Sequence, residues 1–135
     1  MLPVAVDAMG GDNAPKAIVE GAQRAIEERG IPVVLVGQPE ALGDTGGIEV
    51  IEASEVIAMD ADPGTSVRTM KDSSLVRAAE AVRDGTASAM VSAGNTGATM
   101  ASALLRTGRI KGVARPAIAT PVSYTHLTLP TTPYV

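Results

Sequence analysis

The sequence predicts an α/β fold on a mostly parallel sheet, and three observations carry that prediction. Short apolar or β-branched runs alternate with segments of helical spacing along the 135 residues. Hydrophobic residues make up 45% of the chain, enough for one packed domain. Glycine turns at residues 10–12 and 92–97 close two of the apolar runs. Ligands bind outside the carboxyl ends of strands in such sheets, so the two turns are expected to face one crevice.

The elements follow in order. Pro3–Met9 reads as a strand ending in the Met9-Gly10-Gly11-Asp12 turn. Asp12 or Asn13 is expected to cap the next helix, with Pro15 in its first turn. Ala14, Ala17, Ile18, Gly21, Ala22, Ala25 and Ile26 keep helical spacing until Gly30, a natural stop after Arg29. Pro32–Val36 is a β-branched, buried strand; Gly37–Gly47 is mostly loop, with one helical turn near Glu40. Ile48–Ala53 alternates as a third strand, and Ala58–Ser66 is a polar loop. A single helix is expected over Val67–Asp84, with Leu75, Ala78, Ala79 and Val82 on one face. Ala87–Ser92 is the fourth strand, Thr96–Arg106 the helix that Gly108 ends, and Pro116–Thr120 begins strand-like.

Composition excludes several function classes. A net charge of −4 argues against nucleic acid as a partner, because phosphate backbones demand a basic surface. With no cysteine there is no disulfide framework, thiolate metal site or cysteine nucleophile, which fits a cytoplasmic protein. No metal site and no cofactor are expected. The N-terminus lacks a basic segment and Asp7 interrupts its apolar run, so no targeting signal is read there. Gly85–Leu105 is uncharged for 21 residues, but Ser88, Ser92, Asn95, Thr96 and central glycines favour strand–turn–helix over a membrane span.

Three groups of residues carry candidate chemistry. Ser92, Gly94, Asn95, Thr96 and Gly97 lie where a strand meets a helix N-terminus, and free amides there suit an anion. The competing explanation is a plain strand–helix turn with an Asn or Thr cap; neither G-x-G-x-x-G nor the P-loop pattern is matched. Asp7, Gly10, Gly11 and Asp12 form the second group, with helix capping by Asp12 as the simpler explanation. Arg68 and Lys71 are spaced to share a helix face and neutralise a dianion, with Ser73 or Ser74 donating hydrogen bonds; a solvated face is the alternative. Arg106, Arg109, Lys111 and Arg115 form a basic cluster that the helix dipole explains in part and an acidic partner would explain otherwise.

The run Val4-Ala5-Val6-Asp7-Ala8-Met9-Gly10-Gly11-Asp12, followed by Ala14-Pro15 and Ile18–Ala22, resembles the start of bacterial phosphate acyltransferases of the PlsX type. Arg68, Lys71-Asp72-Ser73-Ser74, Val91–Ala98 and Gly112–Ala117 extend the resemblance over residues 1–120. It implies a three-layer α/β/α fold akin to isocitrate and isopropylmalate dehydrogenases. It implies acyl transfer from fatty acyl carrier protein to inorganic phosphate, giving acyl phosphate for phospholipid synthesis. It also implies a homodimer attached peripherally to the inner membrane face when full length. On it, Lys71, Asn95 and Thr96 become candidate catalytic residues. Asp7, Gly10, Gly11, Asp12, Arg68, Ser73, Ser74, Ser92, Gly94 and Gly97 become candidate substrate-binding residues. A phosphate acetyltransferase-like activity on coenzyme A thioesters and a non-catalytic phosphate-binding role are the alternatives.

After Thr120 the composition changes. Both tyrosines and the sole histidine, His126, follow residue 121, and no charged residue follows Arg115. Residues 121–135 are therefore expected to be a non-family, artefactual tail on a truncated N-terminal part, inactive by itself.

Overall fold

The structure, a computed structural model, describes residues 1–119. Strands β1 (Val4–Asp7), β2 (Val33–Gly37), β3 (Val50–Glu52) and β4 (Ala89–Val91) form one parallel sheet in the order β3-β2-β1-β4. Val4 lies opposite Val33 on one side and Ala89 on the other, so the strand exits stay level.

Alternation along the strands fills two layers. Val34 and Val36 of β2 join Ala5, Ala53, Ala78, Ala81 and Ala87 on one face. Leu35 joins Ala8, Val19, Ala22 and Leu42 on the other. This is the period-two signature of a sheet covered on both sides. Helix α1 (Lys16–Arg29) and the short α2 (Pro39–Leu42) cover the second face, while α4 (Ser74–Arg83) lies on the first. Helices α3 (Pro63–Thr69) and α5 (Thr96–Thr107) meet α4 around a third cluster of Ile57, Val67, Leu75, Val76 and Ala98. The α/β fold with a parallel sheet and helices on both faces is as the sequence predicts.

The strand order creates the position that matters. From β1 the chain passes through α1 to β2 on one side, whereas β4 pairs with β1 on the other. Loops leaving β1 and β4 therefore flank the switch point of the sheet. Those loops carry the two glycine turns.

Several expectations need correction. The helix expected over Val67–Asp84 is two helices, broken at Met70–Ser73. Asp62 starts the first, its carboxylate accepting from the Thr65 N–H at 2.9 Å, with Pro63 in the first turn. Ser73 starts the second, its hydroxyl accepting from the Val76 N–H at 3.3 Å. An Asp-Pro pair is a helix start, so the expected loop Ala58–Ser66 is too long. Neither Asp12 nor Asn13 caps α1: Pro15 precedes its first residue without a side-chain cap bond, and only the Asn13 carbonyl takes part, accepting from Ala17. Residues 116–119 form no strand and are exposed. The expected tail lies outside the described residues. Gly30 does end α1 in the left-handed region at φ 64°, and the helical turn near Glu40 is α2.

Candidate functional site

The glycine turns after β1 and β4 are locked together by one carboxylate. Asp7, 1% exposed at the end of β1, accepts from the Met9 N–H at 3.1 Å and the Ser92 hydroxyl at 2.8 Å. Ser92 in turn accepts from the Gly94 N–H at 3.0 Å. These bonds replace water around a buried acid. The backbones then touch. A Cβ on Gly10 would sit 2.5 Å from the Asp7 Oδ2 and 2.9 Å from the Gly94 Cα. Gly11 adopts φ 115°, where only glycine is unstrained. The close approach these glycines permit is thus of one turn to the other.

Asn95 is the next hinge of the site. Its Oδ1 caps α5 by accepting from the Ala98 N–H at 3.0 Å. Its Nδ2 faces the carbonyls of Ala58, Met59 and Ala61 at 3.1, 3.3 and 3.0 Å. The side chain is 6% exposed and engaged at both ends. Two amides remain at the start of α5. Thr96 is exposed at the first helical position, and the N–H groups of Thr96 and Gly97 have no partner among the described residues. Pro63 packs over Gly97, where a Cβ would fall 2.6 Å from its Cγ.

The cations sit differently from the expected shared helix face. Arg68 belongs to the last turn of α3, and Lys71 to the turn that follows. Both are exposed and neither forms an ion pair among the described residues. Ser73 and Ser74, by contrast, are 0% and 2% exposed; Ser73 caps α4 and the Ser74 N–H donates to the Glu55 carbonyl. Asp12 is exposed and makes no side-chain hydrogen bond among the described residues. Of the basic cluster, Arg106 lies 3.4 Å from Glu80 without aiming its Nε–H at it, an ion-pair contact between α4 and α5. Arg109 donates to the Ala114 carbonyl.

A fourth group was not legible from motif spacing. The loop after β3 joins the other parts: Ser54 and Glu55 bind Asp72, while Ala58–Ala61 bind Asn95. Its contacts to Asn95 are through backbone carbonyls, which leave no residue-type signature, and its side-chain contacts to Asp72 span 17 and 18 residues. Among the described residues, no cluster of three or more His, Asp or Glu side chains is placed to hold a metal. Nor is any helix there long and apolar enough to cross a membrane.

Comparisons with known proteins identify the family of the chain. Residues 2–128 match the family model described as "Fatty acid synthesis protein". A protein of Desulfitobacterium hafniense named "Phosphate acyltransferase" is 52% identical over 127 residues, covering 89% of this chain and 38% of that protein. Proteins of the same name from Leptospira biflexa and Nostoc sp. are 49% and 48% identical, with 88% and 87% of this chain covered. The chain spans under two fifths of the length of these relatives, 37% and 36% for the latter two.

Proposed function

Because the chain belongs to the fatty acid synthesis protein family, we propose that it is the N-terminal part of an enzyme that moves an acyl group onto inorganic phosphate. The acyl donor in this reading is a fatty acyl thioester of acyl carrier protein, and the product is an acyl phosphate for phospholipid synthesis. Turnover is proposed for a protein of the relatives' length, as a homodimer peripheral to the inner membrane face. For residues 1–120 alone we propose no turnover, and for residues 121–135 no part in the site.

The supporting observation is the pair of amides, Thr96 and Gly97, unpartnered among the described residues at the switch point, on a helix start that Asn95 caps and the Asp7–Ser92 bond ties to β1. Phosphate at neutral pH is already an anionic oxygen nucleophile. Its oxygen attacks the thioester carbonyl, a C–O bond forms, the C–S bond breaks and the electron pair leaves on sulfur. Such a reaction needs no protein nucleophile; it needs position, charge balance and a home for the oxyanion. In our proposal the Thr96 and Gly97 amides and the Thr96 hydroxyl hold phosphate or the oxyanion, and Lys71 and Arg68 balance charge. Asn95 acts through the loop it holds, and Gly10, Gly11, Gly94, Asp7 and Ser92 shape the turns.

The test is steady-state kinetics on a full-length protein carrying this sequence, with acyl carrier protein thioester and phosphate varied. Lys71→Ala is expected to raise KM for phosphate about tenfold, with a smaller change in KM for the thioester. Unchanged kinetics in both Lys71→Ala and Thr96→Val would remove these residues from the site.

A further inference from the structure

Lys71 sits in a turn with little of its own to fix it. It has no helix around it, no ion-pair partner among the described residues and an exposed side chain. Its neighbour Asp72 is held from three directions. Asp72 Oδ2 accepts from the Ser54 hydroxyl at 2.5 Å and the Ser54 N–H at 3.1 Å. Oδ1 accepts from the Arg77 Nε–H at 2.6 Å, tying the turn to α4. The backbone is bound as well: the Asp72 N–H donates to Glu55 Oε1 at 3.1 Å, and its carbonyl accepts from the Glu55 N–H at 3.1 Å. Glu55 and Ser73 complete this as a parallel bridge.

Ser54 is itself anchored to the exit of β2, since Gln38 Nε2 donates to the Ser54 carbonyl at 2.8 Å. The same loop reaches Asn95 a few residues later through Ala58, Met59 and Ala61. The loop leaving β3 is therefore a strap. One end grips the Lys71 turn through Asp72, the other grips the start of α5.

We propose that Asp72 is a positioning residue: through Ser54, Glu55 and Arg77 it sets where Lys71 stands relative to the Thr96 and Gly97 amides. This rests on the reading that Lys71 and those amides serve one phosphate. Asp72 has no part in binding the anion itself, since a carboxylate repels it. Its removal acts by letting Lys71 wander, so the contribution of Lys71 is what disappears.

A double-mutant cycle on the 135-residue chain tests this, with inorganic phosphate titrated against ¹⁵N–¹H spectra at constant ionic strength. The Thr96 and Gly97 amides report the dissociation constant. Lys71→Ala is expected to weaken binding about fivefold in the unaltered chain but less than about twofold in Asp72→Asn, the signature of coupling between neighbours. Asp72→Glu, which keeps the charge, is expected to restore part of the Lys71 effect. A merely structural Asp72 would weaken the fold and leave the Lys71 effect the same size in both backgrounds, which overturns the proposal. Should Asp72→Asn unfold, Ser54→Ala removes one bond to the carboxylate and carries the same cycle. A chain showing no saturable phosphate response at Thr96 and Gly97 overturns the phosphate site and this proposal together. Binding with uncoupled variants overturns the positioning role alone.

Discussion

At the scale of single residues, identity is set by what each atom touches, and two glycines show the contrast. Gly10 has no room for a methyl group, because the Asp7 carboxylate and the Gly94 backbone occupy the space within 3.0 Å. Gly10→Ala is expected to cost about 1–3 kcal/mol by overpacking two backbones. Gly21, inside α1, has nothing within 4 Å of the same position. Gly21→Ala is expected to stabilise by about 0.5–1 kcal/mol through helix propensity. Urea midpoints at unchanged slope measure both, and equal shifts would contradict the packing argument. Asn95 supplies a sharper case, since its amide needs a donor at one end and an acceptor at the other. Asn95→Ala is expected to lose about 2 kcal/mol with the cap and the loop contacts. Asn95→Asp keeps the cap but turns a carboxylate oxygen toward the Ala58, Met59 and Ala61 carbonyls, and is expected to be no more stable than Asn95→Ala in the same urea experiment.

At the scale of elements, charge fixes the break between α3 and α4. The Ser54 hydroxyl, then Arg77, then the Ser54 N–H favour the ionised Asp72 and lower its pKa from 3.8 to about 2. A carboxyl whose folded pKa lies below its unfolded one lends stability above about pH 4, and loses it as pH falls through about 2. The Ser54 amide resonance is therefore expected to titrate with a midpoint near 2 and to stop titrating in Asp72→Asn. In Ser54→Ala, where the largest contribution is gone, the Asp72 midpoint is expected to rise toward 3.8; an unmoved midpoint would contradict that ranking. The same break shows what the sequence conceals. Period and glycine placement predict β1, α1, β2, α2 and α5 within a few residues, because those signals are local. The expectation of one helix over Val67–Asp84 rests on the apolar face of Leu75, Ala78, Ala79 and Val82, all of which lie after the break at Met70–Ser73. What divides that span is the Ser73 cap of α4, a local signal, together with the Glu55–Ser73 bridge, a contact 18 residues apart that no local pattern encodes. The site is legible in the same proportion. The meeting of the two glycine turns follows from strand order, whereas the strap of Ser54–Ala61 holds Asn95 through carbonyls that any residue type supplies and holds Asp72 through Ser54 and Glu55, partners 18 and 17 residues away with no motif of their own.

At the scale of the whole molecule, the sheet of the described residues ends in two edge strands, β3 and β4. β1 and β2 are paired on both sides, while β4 pairs only with β1 among the described residues. Helix α5, which follows β4, packs on α3 and α4 rather than alongside β4. Val91 is left 54% exposed at the end of the strand, and Ala89 is exposed as well. An unpaired apolar strand edge is a template for another strand, and charged side chains are how such edges are blunted. The 135-residue chain is accordingly expected to self-associate with rising concentration, in sedimentation or light scattering, through this edge. Val91→Lys places a charge on β4 without disturbing the Asp7–Ser92 bond or the α4 face. It is expected to lower the association while leaving the urea midpoint within about 0.5 kcal/mol, as for surface changes in general. A Val91→Lys chain that associates as before would move the sticky surface elsewhere, first to the exposed Ile110, Val113 and Ile118 beyond α5.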